Sequence, residues 1–104
     1  MGPNLFTMES RFYLLISLKT PGSYEPFGEF DLGDNRDLAY ALFDSLDGNP
    51  EIDDLCHFHV DLIETVDTLP EKIRSKCCRL DELGVNAERV ALEIFRQKNL
   101  RGET

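Results

Sequence analysis

Much is missing from this sequence, and each absence narrows the field. No apolar run approaches the roughly 18–20 residues that a bilayer crossing requires. Residues 1–10 have neither the basic patch nor the long apolar stretch of a secretory signal, so they read as a loose leader in which Met8 offers an alternative start. Gly2 stands where N-myristoylation would need it, but Phe6 fills the position that this motif gives to Ser or Thr. Cysteine is sparse and odd in number: Cys56, Cys77 and Cys78, two of them adjacent, make a poor disulfide framework and suit a reducing compartment. The expectation is a soluble, cytoplasmic protein. No phosphate loop, nucleophile elbow, glycine-rich dinucleotide turn, CxxC or HExxH is present, which argues against an enzyme.

Basic residues are also scarce through the middle of the chain. Residues 24–67 hold thirteen Asp or Glu against the single Arg36, while residues 68–104 hold eight Lys or Arg against six acids. With a net charge of −9, direct binding to nucleic acid is disfavoured, because phosphate backbones would be repelled. The simplest meaning of the acidity is solubility. What the chain does have is apolar content: 41% hydrophobic residues and ten aromatics over 104 residues are enough for one packed core and too few for two ordinary domains. The expected division is a leader at 1–10, one domain at 11–99 and a polar tail at 100–104.

The segment 56–66 organises the rest. Phe58, Val60 and Leu62 alternate with His57, His59 and Asp61, the period of a strand with one face in a core. Residues 11–19 form a first strand whose two faces are both fairly apolar, so it is central in its sheet. Tyr13 and Leu15 share its second face. Two prolines and a glycine break residues 20–26 into a loop carrying Tyr24, which reads as a plain connection more readily than a binding loop. A short strand follows over 27–32. Asp34 is the natural N-cap of a helix over 35–47 with Leu38, Ala39, Leu42 and Leu46 as its stripe, Tyr40 on its polar side and Gly48 as a left-handed C-terminal cap. Residues 49–55 form an acidic loop. It fails as a calcium loop because Ile52 replaces the required glycine and Phe58 the bidentate glutamate.

Residues 70–83 are ambiguous. Thr68-Leu69-Pro70-Glu71 resembles a helix capping box, whereas Lys72, Arg74 and Lys76 alternate with Ile73, Ser75 and Cys77 as a strand with a basic outer face. A strand would pair the open edge of 56–66 and repeat the strand–loop–strand–helix order of residues 11–47, which decides for it. A helix over about 80–98 ends the domain. Gly84 weakens its start by about 1 kcal/mol relative to alanine, and Asn86 could cap a fresh start there. Val85 and Leu92, with Phe95 flanking, lie off the main stripe, and packing on the first helix is favoured for them over exposure to a partner. The predicted fold is α+β, in the order ββαββα, a four-stranded antiparallel sheet with two helices on one face. The alternative has three strands plus three helices, with 70–83 helical.

If residues 56–66 and 71–78 pair about a turn near Thr68 and Leu69, His59 faces Cys78, Asp61 faces Lys76 and Glu64 faces Ile73. His57, His59, Asp61 and Cys78 would then share the outer sheet face, where imidazole, thiolate and carboxylate could ligate zinc or hold a base and a nucleophile. A register slip of one would destroy the grouping. The plainer reading is an exposed sheet face with an ordinary Asp61–Lys76 charge pair, no cofactor, and Cys77 in the core as a small hydrophobe.

Leu32-Gly33-Asp34-Asn35-Arg36 with residues 39–43 behind it, Glu64-Thr65, Leu69-Pro70 and Leu80-Asp81-Glu82-Leu83 resemble a family of small Bacteroidetes proteins of unknown function. The resemblance implies an α+β domain with a strand after Pro70 and carries over no functional residues; Gly84 departs from its pattern. The leading functional expectation is a non-catalytic interaction or accessory protein that acts on a protein partner or on itself as a homodimer, with no membrane contact. Tyr13, Leu15, Tyr24, Tyr40, Val85 and Leu92 are its candidate contact residues. Two rivals stand beside it: a metal- or ligand-binding protein using the His57, His59 and Cys78 face, and an acidic inhibitor or nucleic-acid mimic.

Overall fold

In a computed structural model the chain forms β1 (Ser10–Lys19), β2 (Tyr24–Gly33), α1 (Arg36–Ser45), β3 (Phe58–Val66), β4 (Leu69–Cys78) and α2 (Leu80–Leu100). The structure describes residues 10–51 and 56–100. Ser10 of the expected leader opens β1 and Leu100 of the expected tail closes α2, while the rest of both and most of the acidic loop lie outside the described residues. Residues 70–78 are strand, and helix begins only at Leu80.

The four strands make one antiparallel sheet in the order β2-β1-β3-β4. β1 and β3 are central, which accounts for the apolar residues on both faces of β1. Both helices cover one face. Phe12, Leu14 and Ile16 of β1, Leu32 of β2, Val60 and Leu62 of β3 and Cys78 of β4 pack there against Ala39 and Phe43 of α1 and Val90 of α2. Removing these side chains from water supplies most of the driving force, at roughly 1.5–3 kcal/mol for each large one.

Several boundaries differ from the expected ones. Asn35, not Asp34, caps α1: its side chain accepts from the Leu38 N–H at 3.0 Å. The helix stops at Ser45, so Gly48 is no helix cap. Gly48 is required for a different reason: its φ is +148°, and a Cβ there would stand 3.0 Å from the Cys77 carbonyl oxygen, where the chain bridges to β4 through Asn49 and Cys77. β2 starts at Tyr24, three residues early, and tolerates Pro26 because it is an edge strand. Pairing slips between Ile16 and Ser17, and Phe27, left out of register, is 53% exposed.

The β3–β4 pairing also slips. A two-residue turn, Asp67-Thr68, with φ of 52° and 70°, sets Val66 opposite Leu69, two residues away from the expected register, an offset that falls to one beyond Leu62. A bulge between Leu62 and Ile63 then skips Ile73, which packs against the core. β4 therefore has no solvent-facing basic stripe. Arg74 and Lys76 pair with Leu62 and Val60 and reach α1. Arg74 bonds Asp44 and lies over the Tyr40 ring, while Lys76 donates to the carbonyl oxygens of Phe43, Asp44 and Leu46 at 2.9, 3.3 and 2.7 Å. α1 has no basic residue in its own last turn, and the Lys76 ammonium neutralises the carbonyl end of its dipole. Burial pulls the Lys76 pKa below its ordinary value.

Candidate functional site

The face of the sheet without helices carries a polar cluster built on β3. His59 stacks on Tyr24 with ring centroids 3.9 Å apart, and the Tyr24 hydroxyl donates to the Cys56 carbonyl at 2.9 Å. Lys19 lies 5.8 Å from the Tyr24 ring on the other strand of that hairpin. Tyr24 is thus a packing residue of the sheet face, and the apparent loop aromatic is spent internally. Asp61 is 4% exposed; it accepts from the Ser75 hydroxyl opposite and has the Lys72 ammonium at 3.8 Å. His59 Nε2 is buried without a hydrogen-bond partner, and burial lowers the His59 pKa, partly opposed by Asp61, so the ring is kept neutral.

The shifted register breaks the expected ligand set. His59 faces Cys77, Asp61 faces Ser75 and Glu64 faces Glu71. Cys78 lies opposite Phe58 on the helix-covered face, 2% exposed, with its Sγ near the Asp47 carbonyl oxygen and the Asn86 amide. His57 stands exposed before β3 begins. Among the described residues no group of three or more His, Cys, Asp or Glu is placed to hold a metal ion. Nor do Ser75, His59 and Asp61 make a nucleophilic triad. That device needs the imidazole between hydroxyl and carboxylate, and here Asp61 bonds Ser75 directly.

Cysteine assignment is corrected as well. Cys77 does not enter the core. It forms a disulfide with Cys56, tying the start of β3 to the end of β4 across 21 residues, and leaves Cys78 as the buried free thiol. Odd numbers and adjacency hid this pair, because which of two neighbouring cysteines faces Cys56 depends on the register of β4. Burial, reinforced by Glu82, pushes the Cys78 thiol up to about 11.

The candidate contact residues divide. Tyr40 sits edge-on to Phe12 at 6.2 Å, between the Arg36 and Arg74 guanidinium groups, and belongs to the fold. Arg36 in turn pairs with Glu64 at 2.8 Å, which raises the Arg36 pKa. Tyr13 and Leu15 are half-buried on the sheet face without helices. Val85 and Leu92 do not pack on α1. With Phe95 they line the outer face of α2, 41%, 48% and 61% exposed. Phe27, Leu69 and Leu80 are the other large apolar side chains left at the surface among the described residues. No helix among the described residues is long and apolar enough to cross a membrane. No family model, curated protein or solved structure matches this chain.

Proposed function

We propose that this is a non-catalytic interaction protein that acts as a homodimer, with the outer face of α2 as its working surface. One observation carries this reading: Val85, Leu92 and Phe95 repeat along one side of a helix whose opposite side already fills the core with Val90 and packs Leu83 and Ile94. The outer row serves no purpose within the fold, and burying it against a partner would be worth on the order of 1 kcal/mol for each side chain. The polar cluster on β3 supports the non-catalytic part, since the Asp61 carboxylate is taken up by Ser75 and Lys72 and His59 stacks on Tyr24 without reaching either group of a triad. A net charge of −9 speaks against a nucleic-acid partner. The Cys56–Cys77 bond favours an oxidising setting over the reducing cytoplasm expected from the odd cysteine count.

Sedimentation velocity on the purified protein tests the reading, with Leu92→Glu beside it. A concentration-dependent dimer is expected for the wild type, together with a well-folded, monomeric variant, because the substituted position is exposed. A wild type that stays monomeric at every accessible concentration would end the proposal.

A further inference from the structure

We infer that the second copy docks on α2 in the antiparallel sense, its helix crossing between residues 88 and 89 and Asp81 of each copy meeting Arg96 of the other. This rests on the interaction reading above and adds the geometry. The charge along the outer side of α2 is divided by position. Asp81 and Glu88 lie in its N-terminal half and Arg96 near its C-terminal end, with Arg89 between them bonded to Asp47 and Glu93 beside Arg96, while Lys98 lies toward Asp31 of β2. A parallel partner would set acid on acid and base on base. An antiparallel partner sets acid on base at both ends, and it also opposes the two helix dipoles. With 21 residues, α2 is about 30 Å long, so the two ends are too far apart for one orientation to mimic the other.

The apolar row follows the same symmetry. About a two-fold axis between residues 88 and 89, Val85 of one copy lies beside Leu92 of the other, and Glu88 beside Arg89, whose guanidinium also bonds Ser45 and Asp47 of its own chain. Gly84 fits this arrangement too. Nothing in its own chain lies within 4 Å of where its Cβ would be, so the fold gives no steric reason for a glycine in mid-helix. In the antiparallel pair it lies one turn from Asp81 and leaves room there for the Arg96 side chain of the second copy. Asp81 and Arg96 are available for exchange: their present partners, Arg79 and Glu93, form exposed pairs that bind weakly.

Three variants, Asp81→Lys, Arg96→Glu and the two combined, measured with the wild type by sedimentation equilibrium at low salt, test the arrangement. Each single charge reversal should raise the dimer dissociation constant roughly five- to tenfold through its two symmetric contacts. The combined variant should return to within about threefold of the wild type, because reversal at both ends restores acid on base only in an antiparallel pair. A combined variant weaker than either single one would overturn the antiparallel assignment. A wild-type dimer indifferent to all three would overturn the antiparallel contact of Asp81 with Arg96 while leaving homodimerisation intact. A monomeric wild type would remove both readings.

Discussion

Asn86 and Cys78 show how much one side chain can settle. Asn86 is 2% exposed in the middle of α2, and its amide accepts from the Asp47 N–H and donates to the Asp47 carbonyl, both at 2.8 Å. It closes the polar backbone left open after α1 in the way a neighbouring strand would, which is why an asparagine with poor helix propensity is kept there. Its second amide hydrogen points at the Cys78 thiol. That thiol is held neutral: burial raises it from an ordinary 9.0 to about 11. A raised acid favours the folded state below its unfolded pKa and loses that advantage as pH climbs through the window. Unfolding free energy should therefore be level up to pH 9 and fall between 9 and 11, by on the order of 2 kcal/mol. Denaturant titrations across that range, with Cys78→Ala as the reference for tyrosine and lysine ionisation, check this. A variant that loses as much as the wild type would assign the decline elsewhere.

Among the elements, the β3–β4 hairpin has the most consequence. Its turn is only Asp67-Thr68, and both residues carry positive φ, unfavourable for a β-branched threonine at 70°. Thr68→Gly should relieve that strain and stabilise the protein by about 0.5–1 kcal/mol, read from the urea midpoint at unchanged m-value. A destabilised glycine variant would mean that the turn is held by contacts to the threonine side chain. The sequence around it predicts a strand, yet leaves its phase open by one residue. One residue is decisive in a strand, because side chains alternate between faces. Moving the turn from Thr68-Leu69 to Asp67-Thr68 shifts the pairing by two and keeps the faces; the bulge that skips Ile73 takes one residue back, and that odd step sends Cys78 to the core, Cys77 to Cys56, and Lys76 under α1. α2 begins with a capping contact, the Glu82 carboxylate accepting from the Arg79 N–H at 2.9 Å, and runs on through Gly84 without a break. Asn86, read as a possible fresh start, is instead the tie to Asp47.

For the molecule as a whole, the disulfide and the layering set stability. Reducing Cys56–Cys77 frees a loop whose closure the unfolded chain otherwise carries, and should cost roughly 3 kcal/mol. Guanidinium unfolding with and without reductant measures it, and equal midpoints would show that the hairpin alone holds those ends. By itself the sequence determined the class and order of the elements. Period-two runs at 11–19 and 56–66, the apolar stripe of 35–47 and the repeat of strand, strand and helix are local patterns, written by the need of each element to present one face to a core. The apolar content of β1 on both sides likewise placed it centrally. Tertiary structure alone decided which residues meet. The one-residue register of β4, the bulge at Ile73, the pairing of Cys56 with Cys77 and the exposure of Val85, Leu92 and Phe95 each depend on segments far apart in the chain. Their energies appear only once the sheet is assembled, so no local pattern could have held them.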